Sequence, residues 1–326
     1  MTTLDRYWLT FEEPGQVAIR SERLDNSVGD NQVLVRNRCS LISAGTELAV
    51  FTAVHPGLAV PGHWATFPWC PGYASVGVVE AVGARAAEVL GVAIGDRVFH
   101  ESSHATWSVV EAARVQVVPD DVPDERAVFT KALTIAMTAL RSAPVRFGDR
   151  IAILGLGVIG NLSAQLAREA GAFTVTAYDR ADGRRRLARR CGIERADDPD
   201  GSDCTQQDAD LVIEATGAAA SVAAATRYAR PGGRVVLLGS PRTPVTFDAY
   251  FSVHLRGLSI VGAHESVIGV SQRRADEPFT NHLLASGRVL VEPLVTHRIA
   301  FRDAQVAYEG LQDRRDEFVT VVLEYS

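Results

Sequence analysis

Sulfur is scarce in this chain, with two methionines and four cysteines among 326 residues. Cys39, Cys70, Cys191 and Cys204 stand far apart and form no C-x-x-C pair. That argues against a metal finger or a disulfide framework and leaves reduced, mostly buried thiols as the expectation. Long apolar runs are missing as well. None approaches the ~18 residues that cross a bilayer, and the opening Met1-Thr2-Thr3-Leu4-Asp5-Arg6 lacks the charged-then-apolar form of a signal peptide. A cytoplasmic protein with no membrane partner is expected. The third absence is an excess of positive charge. At a net −6 nothing draws the chain to a phosphate backbone, so nucleic acid is not an expected partner. The basic run Arg184-Arg185-Arg186 with Arg189 and Arg190 reads as the solvated face of a short helix.

What remains is a globular composition, 47% hydrophobic and 22% charged, long enough for about two domains. The chain is organised around Ile151-Ala-Ile-Leu-Gly155-Leu-Gly157-Val158-Ile159-Gly160 and the apolar-periodic stretch that follows it. A β-branched run, a turn with glycines at its first, third and sixth positions, and a helical pattern predict strand, tight turn and helix. Gly155 makes the turn, Gly157 lets backbone approach a pyrophosphate, and Gly160 lets the helix pack on the strand. The helix start at Val158 and Ile159 offers unpaired N–H groups and the positive end of a dipole. A second strand, Phe173 to Tyr178, ends in Asp179, nineteen positions beyond Gly160. A carboxylate there accepts hydrogen bonds from adenosine ribose hydroxyls and repels a 2′-phosphate, which favours NAD. Arg180 next door, with Arg184 beyond it, keeps NADP possible, because a guanidinium pairs with that phosphate.

Residues 1–124 are β-rich, with short runs at Tyr7–Phe11, Gln16–Ile19, Gln32–Val35, Ser75–Val79 and Arg97–Phe99 that suggest a small barrel. Between them Phe51 to Pro71 carries His55, His63, Trp64, Phe67 and Trp69. A loop of that length is usually functional, and its rings suit a substrate with a sizeable apolar or ring surface. Over 125–291 strands alternate with helices, beginning with a helix over roughly Glu125 to Arg141, which predicts a Rossmann-type doubly wound parallel sheet. Strand ends at Ala215-Thr216-Gly217 and Leu238-Gly239-Ser240 should face the ligand crevice. Residues 292–326 read strand, helix, strand and are assigned back to the first domain.

Several segments carry a resemblance to the medium-chain dehydrogenase/reductase, or zinc alcohol dehydrogenase-like, superfamily. They are Ser43-Ala-Gly-Thr46-Glu47, Pro71-Gly-Tyr73-Ala through Gly83, Gly95-Asp-Arg-Val98, the Gly155–Gly160 turn and Phe301-Arg-Asp-Ala-Gln-Val-Ala-Tyr308. The resemblance implies an α/β fold of a GroES-like β-barrel domain plus a Rossmann domain, a nicotinamide cofactor, and a homodimer or homotetramer. It does not extend to zinc. Where zinc-holding members have Cys-Gly-Thr-Asp, this chain has Ala44-Gly45-Thr46-Glu47; Gly-His-Glu becomes Gly72-Tyr73-Ala74, and the third ligand position aligns with Lys131. Zinc needs Cys, His or carboxylate donors, so a zinc-independent member is expected. It looks closest to the branch of bacteriochlorophyllide-type and antibiotic-pathway alcohol dehydrogenases.

Without a metal, a side chain must take or give the alcohol proton. Thr46 takes the family's hydroxyl-relay position. Tyr73 and Lys131 replace two former ligands, so the fold should bring them together, where an ammonium makes a phenol a usable acid/base. The alternative is a packed aromatic and a solvated lysine. His100 and His104 form a second constellation. Spaced by four, they could hold a metal if helical, but the run around them looks loop-like; substrate hydrogen bonding or proton transfer by one of them, His104, stands beside the plainer reading of surface or packing roles. The expected function is a zinc-independent NAD(P)-dependent oxidoreductase that interconverts a secondary alcohol and a ketone on a small or ring-bearing molecule. An NADPH-dependent quinone or enoyl reductase and a non-catalytic NAD(H)-binding scaffold or sensor are the competing readings.

Overall fold

A computed structural model describes residues 3–201 and 208–325; Cys204 lies outside them. The chain divides into two compact units, one of residues 1–131, 274–286 and 295–326, the other of 132–273 and 287–294. Among the described residues no helix is long and apolar enough to cross a membrane.

The first unit begins with β1 (Thr3–Phe11) and β2 (Val17–Asp25), an antiparallel pair. Then come β3 (Gln32–Leu41), β4 (Ser75–Val82), β5 (Arg97–His100), β6 (Trp107–Glu111) and β7 (Val115–Val117). The strand-like runs of the sequence fall in these strands, Gln16 excepted, which precedes β2, and the strands reach further than the apolar pattern alone. In β3 the inward residues Val33, Val35 and Cys39 are buried while Arg36 and Arg38 are exposed, as expected for a half-buried strand. The chain's end supplies β14 (His297–Ala300) and β15 (Val321–Glu324), and the sheet runs β14-β15-β3-β4-β5-β7, with β6 also on β3. Leu9, Phe11, Phe51, Tyr308 and Leu323 fill one core of this unit.

In the second unit β8 (Arg150–Leu154), β9 (Thr174–Tyr178), β10 (Arg195–Asp197), β11 (Ala209–Glu214), β12 (Ala229–Leu237) and β13 (Ser259–Gly262) make one parallel sheet ordered β10-β9-β8-β11-β12-β13. This is the doubly wound order 3-2-1-4-5-6, with its switch point between β8 and β11. Ile151, Ile153, Leu211 and Ile213 alternate with Ala152, Leu154 and Val212 into two separate cores. Both sheet faces are therefore covered. The helix expected over roughly 125–141 is instead two helices, Asp124–Ala127 and Thr130–Ser142. The interruption at Val128-Phe129 buries both side chains, and that tertiary packing overrides an unbroken helical period.

Candidate functional site

The glycine turn of the second unit has the geometry its spacing implies. Gly155 sits at φ +95°, in the left-handed region that glycine favours. A methyl on Gly160 would lie 1.9 Å from the Gly155 carbonyl oxygen, so helix and strand approach as only glycine allows. Gly157 caps the helix Val158–Glu169, and the space over its α-carbon is open, with no atom within 4 Å of the place a methyl would take. The first N–H groups of that helix have no intrahelical acceptor, so the residues present fit a dinucleotide's pyrophosphate.

Asp179 follows directly on β9 with its side chain nearly buried. One carboxylate oxygen accepts from Leu156 N at 2.8 Å and the other from Ala181 N at 2.9 Å. Leu156 lies inside the glycine turn, so the acid is tied to the phosphate loop. Each oxygen retains acceptor capacity for a ribose hydroxyl. Arg184 reaches within 3.7 Å of this carboxylate, whereas Arg180 is exposed and pairs with Asp200 at 3.2 Å.

The ends of β11 and β12 converge on the same edge of the sheet. A methyl on Gly239 would meet Gly217 N and the Ala215 and Thr216 backbone, and one on Gly155 would meet Thr216. The predicted Ala215, Thr216, Gly239 and Ser240 thus gather with the glycine turn. The sequence reading missed what holds them: Glu214, fully buried, accepts from Thr216 N, Thr216 Oγ1 and Gly217 N. An isolated acid closing the apolar run Leu211-Val-Ile-Glu214 was the available signal.

In the first unit Tyr73 and Lys131 meet. Lys131 is the second residue of the helix Thr130–Ser142 and is 4% exposed. Its ammonium lies 5.9 Å from the centroid of the Tyr73 ring and 2.9 Å from Glu101 Oε1. The phenol oxygen donates a short hydrogen bond to Ser43 Oγ. The ammonium lies near the Tyr73 ring, and the phenol donates to a serine; Ser43 and Glu101 are members of the cluster that the sequence reading did not assign. Thr46 stands half-buried at the start of the helix Thr46–Phe51.

The zinc-ligand positions of the resemblance hold an alanine methyl at Ala44, a phenol engaged with Ser43, and an ion-paired ammonium. Such a set offers no soft or anionic donors to zinc. Among the described residues no group of three His, Cys, Asp or Glu side chains could hold a metal.

His104 corrects the expectation of direct proton transfer. It is wholly buried, with Nδ1 2.7 Å from Ser40 Oγ and Nε2 3.1 Å from Glu47 Oε2. Both nitrogens are committed to buried partners. His100 is not in a loop; it ends β5 opposite Ser75. Its Nε2 lies 2.7 Å from Asn37 Oδ1. The Asn37 amide donates to Ala105 O and Ser108 Oγ, so His100 must be the donor to Asn37 Oδ1. Burial lowers its pKa from 6.5 to about 3. The unfolded chain takes up this proton below pH 6.5 and the folded one resists until about 3. The stabilisation is therefore complete above that upper value and is lost as pH falls through the window, by linkage roughly 4–5 kcal/mol in all. His100→Gln should flatten the fall of the urea midpoint across this range relative to the parent. Parallel curves for the two proteins would show that another group carries it.

Burial raises the pKa of the Cys39 thiol to about 12 and that of Cys191 to about 11, and Cys70 is exposed. The aromatic loop is self-packed. His55, His63 and Trp64 rings lie 4.8–5.4 Å apart by centroid, with Trp69 5.7 Å from Trp64. Trp64 remains 52% exposed.

Residues 158–276 match the family model for zinc-binding dehydrogenases. The chain is 29% identical to D-guloside 3-dehydrogenase of Shigella flexneri over 333 residues, 93% of this chain and 95% of that one. It is also 29% identical to L-threonine 3-dehydrogenase of Bacillus velezensis over 217 residues, 64% of this chain, and there the match spans only 60% of the relative's length. An alcohol dehydrogenase of Escherichia coli solved in complex with NADH superposes with a TM-score of 0.82 at 20% identity, covering 98% of this chain and 99% of that one. The family match over residues 158–276, these relatives and the doubly wound sheet make the chain similar to the medium-chain, zinc-type alcohol dehydrogenase-like proteins.

Proposed function

We propose that this protein is a nicotinamide-dependent oxidoreductase that interconverts a secondary alcohol and a ketone on a small, ring-bearing metabolite without zinc. A bound nicotinamide supplies or accepts the hydride. Gly155, Gly157, Val158, Ile159 and Gly160 would hold its pyrophosphate, Asp179 with Arg180 and Arg184 its adenosine end, and Ala215, Thr216, Gly239 and Ser240 the nicotinamide half. Asp179 favours NAD, since its carboxylate would oppose a 2′-phosphate beside the turn to which it is bonded.

The observation that carries the metal-free reading is the cluster of Tyr73, Ser43, Lys131 and Glu101. In the reduction direction the carbonyl carbon takes the hydride, the C=O pair moves onto oxygen, and that oxygen takes the Tyr73 proton. The Lys131 ammonium stabilises the phenolate that is left, which water reprotonates. Thr46 is a further hydroxyl for orienting substrate. D-guloside 3-dehydrogenase as a relative and the exposed Trp64 ring both suit a sugar-ring substrate. A homodimer or homotetramer is in keeping with β13, a sheet-edge strand with Ile260 exposed, and with the exposed rings of Tyr250 and Phe251.

The test is oxidation of methyl D-guloside with NAD, before and after EDTA treatment. NADH should form at the same rate in both. Activity lost to the chelator and restored by zinc would end the metal-free account. NADH binding with no turnover of this or other alcohols and ketones would favour a cofactor-binding scaffold.

A further inference from the structure

The phenol oxygen of Tyr73 has Ser43 Oγ as its hydrogen-bond acceptor, and the serine is held from behind by buried charge. Ser43 N donates to Glu47 Oε1 at 2.9 Å, while Glu47 N donates back to Ser43 O at 2.9 Å. The other oxygen, Glu47 Oε2, is 3.1 Å from His104 Nε2 and 2.5 Å from Tyr308 OH. Behind His104 come Ser40 Oγ, 2.7 Å from Nδ1, and then Tyr325 OH, 2.8 Å from Ser40 Oγ. Glu47, His104, Tyr308 and Ser40 are all 0% exposed.

The proton directions in this chain follow from chemistry. Burial and the neighbouring Glu47 raise the pKa of Tyr308, and burial raises that of Tyr325, so both phenols stay protonated and donate. Tyr325 donates to Ser40, Ser40 to His104 Nδ1, and His104 Nε2–H to Glu47, where the Tyr308 O–H and the Ser43 N–H also end. In this arrangement each hydrogen is used once. Three donors converging on one desolvated carboxylate give it a single orientation. The backbone at Ser43 inherits that orientation.

We infer that Ser43 is a catalytic partner of Tyr73 and that Glu47, backed by His104 and Tyr308, is the positioning residue that aims it. The assignment rests on the reading of Tyr73 as the proton donor and acceptor. A serine hydroxyl can reverse its role: it accepts from the phenol before proton transfer and, by turning its own O–H, donates to the phenolate afterwards. A hydrogen bond to the charged form favours that form. Lys131, near the ring and paired with Glu101, adds the field of its ammonium. The proton ledger is unchanged, because the Tyr73 O–H bond breaks as the substrate O–H bond forms and Ser43 keeps its own hydrogen.

The experiment compares Ser43→Ala, Ser43→Thr, Tyr73→Phe and the Ser43→Ala/Tyr73→Phe double variant, with methyl D-guloside and NAD as the probe pair. Ser43→Ala should lower kcat about 10–10²-fold with the KM for NAD changed less than about twofold, and Ser43→Thr, which keeps the hydroxyl, should recover most of the rate. The double variant should be no slower than Tyr73→Phe alone, since residues acting as a unit are not additive. A second readout needs no turnover: Ser43→Ala should shift the tyrosine absorption band of the protein, and the same substitution made on Tyr73→Phe should not. Parent-like kcat in Ser43→Ala beside a collapsed Tyr73→Phe overturns the role of Ser43 and leaves Tyr73 standing. A parent-like Tyr73→Phe sinks the reading beneath it. An additional loss in the double variant, or an unmoved tyrosine band, reduces Ser43 to a structural residue and overturns the inference.

Discussion

Tyr73→Phe should lower the rate of hydride transfer ~10²-fold or more, because general acid/base catalysis by a positioned group contributes on that scale. The substitution removes one oxygen from a half-buried ring and leaves the ring against Lys131, so packing and the Lys131–Glu101 pair are retained. What disappears is the O–H that donates to Ser43 and the proton that the substrate oxygen needs. A loss confined to kcat, with NAD binding unchanged, identifies an interaction made in the transition state. Stopped-flow measurement of NADH formation reads this step before product release. A change below a few-fold would discard Tyr73 as the proposed acid/base and leave Thr46 or water as the candidate proton source. Lys131→Met should act in the same direction by withdrawing the ammonium. It also strands Glu101, so Tyr73→Phe is the cleaner of the two.

The second unit was legible because its chemistry is local. Glycine spacing, the strand before it and the acid after it lie within one continuous stretch, and the structure gathers Gly155, Gly160 and Asp179 through bonds between near neighbours such as Leu156 N to Asp179. The first unit was legible only in part. Tyr73 and Lys131 were paired through the family's alignment, but the phenol's true acceptor, Ser43, lies thirty positions away, and no periodicity links the two. Glu47 reads in sequence as the first-turn acid of a short helix. Its burial depends on Tyr308, 261 positions further on, which a local window does not contain. His104 does lie between strands, as the sequence suggests, but its burial was not legible, since its partners Ser40 and Glu47 come from β3 and the helix Thr46–Phe51. The helix break at Val128-Phe129 belongs to the same class of tertiary effects. Glu214 differs, because a lone acid ending a buried strand is visible locally, though its acceptance of two backbone N–H groups is not.

Gly160→Ala and Gly157→Ala should separate the two jobs of the glycine turn. At Gly160 the added methyl would fall 1.9 Å from the Gly155 carbonyl oxygen and 2.9 Å from its carbon. The obstacle is backbone, which cannot swing aside as a side-chain end could. The helix Val158–Glu169 must lift from β8, and overpacking of this kind costs about 1–3 kcal/mol, occasionally more. Lifting also turns the first N–H groups away from the phosphate position, so NADH affinity should fall at least about tenfold, the loss of roughly one charge-assisted hydrogen bond. Gly157 stands in open space with φ −65° and extended ψ, a conformation alanine adopts. Its alanine variant should keep the parent's urea midpoint, within about 0.5 kcal/mol as for an unobstructed site, yet bind NADH more weakly, because the methyl occupies the room a pyrophosphate would take. Equilibrium unfolding and NADH fluorescence titration measure the two quantities independently. A Gly157→Ala protein with parent affinity would mean that the dinucleotide does not lie over this turn, and a Gly160→Ala protein as stable as the parent would mean that helix and strand can part without cost.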